Sequence, residues 1–188
     1  MPHKFDAHDH ARLLSPERRR RQPVGPALEL LGLEPGHVLI DVGCGPGYFL
    51  LPAARRVRRA VGLDVSPAML AALRKGAKAA GLRNVRAVWM GEAKIPLAAA
   101  SADRALLANV LHELESPGKV LAGIRRTLAP GGRLVVVDWK RRRTPHGPPL
   151  AERIGREAAR RMLYAAGFRK VSAREAYGQF YALVAEKE

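Results

Sequence analysis

Three glycines at alternate positions, with a carboxylate just ahead of them, are the residues of this sequence best suited to chemistry. Asp41 precedes Gly43, Gly45 and Gly47. The apolar residues before Gly43 predict a buried strand, because β-branched side chains dominate a run too short for a helix. The glycines predict a tight turn that lets a ligand approach the backbone, and a helix is expected to open after it. Strand, turn and helix together predict a nucleotide-type binding site.

Each of the next three predicted strands also ends at polar groups. These are Asp64, the turn 91–93 with Glu92 at its centre, and the segment 109–112 with His112 at its end. Parallel strands present their carboxyl ends at one edge of a doubly wound sheet, where ligands bind. We therefore expect these groups to lie near the glycine turn.

The elements that must position these residues alternate between strand and helix. Three Ser-Pro pairs predict the starts of helices. A last helix is predicted over Leu150–Ala166. Four arginines between 55 and 59 are expected at the carboxyl end of the helix after the glycine turn. The predicted strands are Val38–Val42, Ala60–Asp64, Val85–Trp89, Arg104–Val110, Leu134–Asp138, Val171–Arg174 and Phe180–Ala185.

This alternation predicts an α/β fold, a doubly wound and mostly parallel seven-stranded sheet with helices on both faces. The last two strands are expected to pair as an antiparallel hairpin. No repeat or linker divides the chain, so one domain is predicted over residues 24–188. Residues 1–23 form a basic lead-in that is a candidate lid.

The glycine spacing differs from the dinucleotide-binding pattern. That pattern has its third glycine three positions after the second, where this chain has Tyr48. Asp41 would also repel an approaching pyrophosphate, whereas it suits a cationic ligand or an amino group. The loop therefore favours a cofactor other than NAD.

The Asp41-x-Gly43-x-Gly45-x-Gly47 motif resembles the first motif of the class I S-adenosylmethionine-dependent methyltransferases. The similarity covers about residues 24 to 185, and is greatest to the small ubiquinone/menaquinone-biosynthesis-type methyltransferases. Asp64 and the Pro130-Gly131-Gly132 turn also match that family in order. Glu92 departs from its usual Gly-Asp-Ala turn by one carbon of side-chain length.

The resemblance implies roles for individual residues. Asp64 would accept the ribose hydroxyls, the turn at Glu92 would hold the adenine, and the exit of the fourth strand would lie under the sulfonium. S-adenosyl-L-methionine is the implied cofactor. The residues expected to bind it are Asp41, Gly43, Cys44, Gly45, Gly47, Asp64, Val65, Glu92, Ala93 and Asn109.

His112 is the candidate general base, because it follows the fourth strand and an imidazole titrates near neutrality. A capping or packing role for His112 is an equal alternative. Methyl transfer by in-line displacement needs no covalent intermediate. Cys44 is therefore expected to pack beneath the cofactor rather than act as a nucleophile.

Three alternatives for the function stay open, and two of them differ in the methyl acceptor. A small molecule, acidic or aromatic, would be enclosed by Tyr48, Trp139 and Tyr181 as apolar walls. RNA or a protein would use the basic runs in the lead-in and in 140–149, and the net charge of +16 keeps nucleic acid among the candidates. A binding protein that keeps the fold without catalysis is the third.

The composition of the chain bears on disulfides, metal sites and membrane spans. Arginines are spread along the chain, which also fits a GC-rich genome or adaptation to heat. The single cysteine excludes an internal disulfide. His8 and His10 are too few ligands for a metal site, so no metal is expected. No apolar run is long enough to span a membrane, so a cytoplasmic protein is expected. The oligomeric state is not predicted.

Overall fold

The computed structural model describes residues 13–188 and contains six helices and seven strands in that range. A short 3-10 helix, Leu111–Glu113, follows the fourth strand. The helices are α1 Pro16–Arg21, α2 Val24–Leu31, α3 Leu50–Ala54, α4 Pro67–Ala79, α5 Pro117–Thr127 and α6 Arg156–Ala165. The strands are β1 Val38–Val42, β2 Arg59–Asp64, β3 Val85–Trp89, β4 Ala102–Ala108, β5 Leu128–Trp139, β6 Arg169–Arg174 and β7 Phe180–Glu186.

One sheet contains all seven strands, in the order β3-β2-β1-β4-β5-β7-β6. Strands β1 to β5 are parallel to one another, and β7 runs antiparallel to both β5 and β6. The predicted fold class and closing hairpin are therefore confirmed. The order reverses between β1 and β4, which places a crevice at the carboxyl ends of these two strands.

The core consists of two apolar layers, one on each face of the sheet. Ile40 and Val42 of β1 pack with residues of α5 and α6, while Leu39 packs with residues of α2, α3 and α4. Successive side chains of a strand point to opposite faces. The central strands must therefore be apolar at nearly every position, as their sequences are. Asp41 is the exception within β1.

Several predicted boundaries were wrong, each for a local reason. The fourth strand ends at Ala108 rather than Val110, because Asn109 adopts a positive φ of 59°. The helix predicted from Leu150 begins only at Arg156, since Gly155 before it is extended. The fifth strand begins at Leu128, six residues earlier than predicted, with its register shifted around the Pro130–Gly132 turn.

Two predicted details of the helices also need correction. Helix α3 has only five residues and ends before the arginines, and Arg59 belongs to β2. Ser15 and Ser66 cap their helices as predicted, by accepting backbone N–H groups, but the side chain of Ser116 makes no such bond.

Candidate active site

A cavity of about 690 Å³ opens at the carboxyl ends of β1, β2, β4 and β5. Its size is that of a small-molecule site. The glycine turn forms its floor, and α1 and the segment after β5 form its outer walls. The polar or charged residues that line it include Arg18, Arg21, Gln22, Asp41, Asp64, Glu92, Asn109, His112, Glu113, His146 and Glu152.

The glycine turn needs glycine for two reasons. Gly43, Gly45 and Gly47 have φ values of 70°, 53° and 93°, in the left-handed region that other residues rarely adopt. A Cβ on Gly43 would lie 2.4 Å from Val110 Cγ2, so the exit of β4 packs directly on the turn. The turn and the segment leading to His112 are thus in contact.

Asp64 holds the turn in place from the end of β2. Its Oδ2 accepts a hydrogen bond from the Gly45 backbone N–H at 2.8 Å, and its Oδ1 accepts one from Ser66 at 2.9 Å. Burial raises the pKa of Asp64, and these N–H donors counteract the rise. The carboxylate therefore lies in the cavity wall beside the glycine backbone, where a ligand diol would meet it.

Asp41 is a buried carboxyl in the wall of the same cavity. Its residue surface is 2% exposed. Burial, reinforced by the nearby charge of Asp64 and opposed by that of Arg18, raises the pKa of Asp41 to about 8. A cationic group placed beside it would stabilise the ionised form. The site therefore suits a ligand with positive charge at this point.

Cys44 is buried among apolar side chains of the layer that includes Leu50 and Leu73. Burial, together with the charges of Asp41 and Asp64, raises the pKa of its thiol well above the usual value. A thiol held neutral is a poor nucleophile. The packing role expected for Cys44 agrees with these surroundings.

His112 forms a hydrogen-bonded pair with Asp138, the last residue but one of β5. Its Nδ1 lies 2.7 Å from Asp138 Oδ1, and its backbone N–H donates to Oδ2 at 3.2 Å. The Trp139 backbone N–H donates to Oδ1 at 2.7 Å, which fixes the carboxylate further. An acceptor at Nδ1 favours the tautomer with the proton on Nδ1, leaving Nε2 able to accept a proton.

The pKa of His112 reflects opposing influences. Burial lowers it, but the hydrogen bond and charge of Asp138, helped by the charges of Glu113 and Glu152, outweigh burial and raise the pKa above its usual value. Nε2 lies 3.7 Å from Glu113 Oε1. His112 is thus a stronger base than an isolated imidazole.

Helix α1 is attached to the site through Gln22. The side-chain amides of Gln22 and Asn109 exchange two hydrogen bonds, at 2.7 and 3.2 Å. The Tyr48 hydroxyl donates to the Gln22 carbonyl at 2.6 Å. The lead-in is therefore joined to both the glycine turn and the exit of β4. The side-chain amide of Asn109 is hydrogen-bonded to Gln22.

Arg18 of α1 covers the glycine turn from outside. Its guanidinium carbon lies 4.5 Å from the centroid of the Tyr48 ring, within cation–π range. Burial lowers the pKa of Arg18 to about 10, and the charge of Asp41 acts to raise it. A cation and a carboxyl thus face the same part of the cavity.

The segment 140–153 forms the wall opposite the turn and is organised by Arg153. The Arg153 guanidinium donates to the carbonyls of Lys140, Arg142, His146 and Pro148 and to the Thr144 hydroxyl. It also lies 5.0 Å from the Trp139 ring centroid. One buried side chain therefore sets the path of this segment.

The segment meets both β5 and α1. Gly147, with a φ of 103°, lies so close to Trp139 that a Cβ would be 2.9 Å from the ring. His146 Nε2 lies 3.0 Å from Glu17 Oε1. Helix α1 and the segment 140–153 are therefore in contact at the cavity.

The structure brings most of the predicted site residues together. Eight of the ten predicted to bind the cofactor line the cavity with His112: Asp41, Gly43, Cys44, Gly45, Asp64, Val65, Glu92 and Asn109. Gly47 does not, because it faces Leu73 of α4. Ala93 lies instead in a separate shallow pocket with Ile95 and Arg126.

The predicted apolar walls are partly corrected. Tyr48 and Trp139 line the cavity, but Tyr181 points into the opposite core layer, and its neighbour Phe180 lines the cavity instead. Asp138 was not predicted, although its place at the end of a strand is a recognisable signal. Gln22 and Arg153 were not predicted either, and no local signal marks them, whereas Arg18 and Arg21 belong to the basic run of the lead-in that was expected to contact RNA or a protein.

The residues present fit S-adenosylmethionine. The cradle at Gly43 and Gly45 admits no Cβ without strain, and Asp64 stands beside it for a diol. The buried carboxyl of Asp41, opposite Arg18, matches a group with both positive and negative charge.

Comparison with known proteins agrees with this site. Residues 40–136 match the family model described as "Methyltransferase domain". The match covers more than half of the chain, which therefore belongs to this methyltransferase family. The predicted family is confirmed, and S-adenosylmethionine is the cofactor that the membership implies.

Individual relatives differ in what they act on. A demethylmenaquinone methyltransferase of Thermus thermophilus is 36% identical over 124 residues, which is 65% of this chain and 54% of that protein. A 23S rRNA (uracil(1939)-C(5))-methyltransferase of Alkalilimnicola ehrlichii is 40% identical over 91 residues, 46% of this chain and 20% of that protein. The chain thus spans about half of the first relative and a fifth of the second.

A solved structure corresponds to the whole chain. The SAM-dependent methyltransferase from Aquifex aeolicus superposes with a TM-score of 0.92 at 28% identity, covering 98% of this chain and 100% of that one. The two proteins thus share one fold over nearly the whole of both chains.

Within residues 13–188, no group of three or more His, Cys, Asp or Glu side chains could hold a metal ion. No helix in that range is long and apolar enough to cross a membrane. His8 and His10 lie outside the described residues.

Proposed function

We propose that this protein transfers a methyl group from S-adenosylmethionine to a small-molecule acceptor that loses a proton, with His112 as the general base. The observation that carries the proposal is that His112, which lines the same cavity as the glycine turn, is hydrogen-bonded to Asp138. The relative that acts on demethylmenaquinone supports a small acceptor. The single buried thiol, Cys44, suits the reducing cytoplasm.

The cofactor would be held by groups around the glycine turn. We assign Asp41 and Arg18 to the charged amino-acid end, since they face one part of the cavity with opposite charge. Asp64 would accept hydrogen bonds from the ribose hydroxyls, and Val65 and Glu92 would lie along the adenine. When bound, S-adenosylmethionine supplies an electrophilic methyl group.

The protein's own contribution to the reaction is orientation and removal of a proton. Asp138 holds the imidazole of His112 with Nδ1 protonated, so Nε2 receives the proton of the acceptor's hydroxyl or acidic C–H group. The resulting imidazolium is stabilised by Asp138 at 2.7 Å and by the nearby Glu113. Helix α1 and the segment 140–153 form the walls at this end of the cavity.

Two variants test the base. His112→Gln should lower kcat by about 10²–10⁴, the usual contribution of a general base, while S-adenosylmethionine binding measured by calorimetry stays within a factor of a few. Asp138→Asn should move the acidic limb of the pH–rate profile to lower pH, because the main influence that raises the pKa of His112 is removed.

The starting point is a screen of a metabolite pool with methyl-labelled cofactor. Unchanged turnover of the identified acceptor by His112→Gln at every pH would exclude the role of His112. Tight NAD binding without S-adenosylmethionine binding would overturn the whole proposal.

RNA is the second candidate acceptor, and the rRNA methyltransferase relative favours it. Exposed arginines stand on both walls next to the cavity, Arg19 and Arg20 on α1 and the run 141–143 on the facing segment. A gel-shift assay with RNA at increasing salt tests this candidate. Phosphate contacts would make the affinity fall steeply with salt.

A further inference from the structure

Arg21 carries a buried donor without a partner. The Nε of Arg21 makes no hydrogen bond, and among the described residues with such buried polar atoms only Arg21 lines the large cavity. A buried N–H group without an acceptor costs free energy. This cost is removed if a ligand brings an oxygen atom to Arg21.

Arg21 lies close to the proposed acceptor end of the cavity. Its guanidinium carbon lies 5.6 Å from the ring centroid of Trp139, which directly follows the aspartate that binds His112. Trp139 packs on Phe180, with ring centroids 4.4 Å apart, and both rings line the cavity. Arg21 and the proposed base therefore lie on either side of the same strand end, next to apolar walls.

The ion pair of Arg21 does not use the Nε donor of its guanidinium. Glu17 accepts one hydrogen bond from the Nη1 group at 3.2 Å, but Glu17 is also 3.0 Å from His146 and is more than half exposed. A guanidinium offers a planar set of donors that suits two oxygens of one anionic group. Arg18 adds a second positive charge one turn earlier on α1.

We propose that Arg21 binds an anionic oxygen group of the acceptor, so that the acceptor is a hydroxylated organic acid. The inference rests on the proposed function. The acid group meets Arg21, the carbon skeleton lies against Trp139 and Phe180, and the hydroxyl reaches His112. Arg21 is then a residue that determines specificity.

The test uses matched pairs of probes that differ only in charge. Each pair is a hydroxylated acid and its methyl ester, such as 4-hydroxybenzoate and methyl 4-hydroxybenzoate, with aromatic and aliphatic members. Binding is measured by tryptophan fluorescence on protein saturated with S-adenosylhomocysteine, because Trp139 lies beside Arg21. Turnover is measured on the same pairs.

Wild type should bind at least one acid about tenfold to a hundredfold more tightly than its ester, the value of a charged hydrogen bond. Arg21→Gln should remove that preference, and Arg21→Lys should retain part of it. Arg20→Gln, which changes an exposed arginine of the same helix, should keep it. Melting temperatures of all four proteins confirm that α1 remains folded.

The outcomes separate the two proposals. Acid-selective binding that is lost in Arg21→Gln, without methyl transfer to any probe, supports the role of Arg21 and counts against the proposed function. Methyl transfer with equal preference for acid and ester overturns the inference and supports the proposed function. If no acid binds better than its ester, or if Arg21→Gln keeps the preference, the inference is wrong.

Discussion

Replacing Asp41 with asparagine should stabilise the protein at neutral pH and weaken its binding of S-adenosylmethionine. Asp41 is buried in β1, and its pKa is raised from 3.8 to about 8 by burial and by the charge of Asp64. Between about pH 4 and about pH 8, Asp41 is therefore mostly protonated in the folded state and mostly ionised in the unfolded state. Stability is lost as the pH rises from about 4 to about 8. Asparagine resembles the protonated carboxyl and avoids this loss.

The magnitude follows from the separation of the two pKa values. Each unit between them contributes about 1.4 kcal/mol, so Asp41→Asn should stabilise by up to about 4 kcal/mol at pH 7. At pH 4 the change should be small, below about 1 kcal/mol, because Asp41 is then protonated in the folded state and still about half protonated in the unfolded state. Cofactor affinity should fall by about tenfold or more, since the variant cannot offer a negative charge to a cationic group.

The assay is urea unfolding at pH 4, 6, 7 and 9, together with calorimetry of cofactor binding. The control is Asp103→Asn, which changes a carboxylate of β4 that accepts a hydrogen bond from the Val38 backbone N–H at 2.7 Å. That variant should not be more stable than wild type at any pH. If Asp41→Asn had the same effect at pH 4 and pH 9, or destabilised at pH 7, the raised pKa of Asp41 would be refuted.

The remaining predictions concern the glycine turn and the outer wall. Gly43→Ala should destabilise by about 2–3 kcal/mol in thermal unfolding, because the new Cβ would lie 2.4 Å from Val110 and the φ of 70° is strained. Adding Val110→Ala should restore part of that loss; no recovery would mean that the contact is unimportant. Arg153→Met should speed trypsin cleavage within 141–143, seen by mass spectrometry, because the five hydrogen bonds that Arg153 makes to this segment are lost. The control Arg156→Met, on the exposed start of α6, should be cleaved at the wild-type rate, and equal rates for both variants would contradict the organising role.

Local pattern was sufficient for most of the fold. The apolar runs placed the central strands, since a strand buried on both faces needs a continuous apolar sequence. The errors lie where a contact between distant residues decides a boundary. The segment 150–155 is an example, because Arg153 binds carbonyls of the preceding loop, and the sequence around it predicted a helix.

The sequence by itself located the proposed cofactor end of the site. Asp41, Gly43, Gly45 and Asp64 are restricted by local backbone conformation and by the ends of adjacent strands, and such restrictions are visible in residue types and spacing. The motif also identified the family correctly. It left the acceptor undefined.

Only the tertiary structure decided which residues lie at the proposed acceptor end of the cavity. His112 acquires its partner from β5, 26 positions later, and Asn109 acquires Gln22 from 87 positions earlier. Arg21 stands over Trp139 because α1 folds back across the cavity. Side chains so far apart in the chain leave no periodic signal, because their meeting depends on the packing of whole elements.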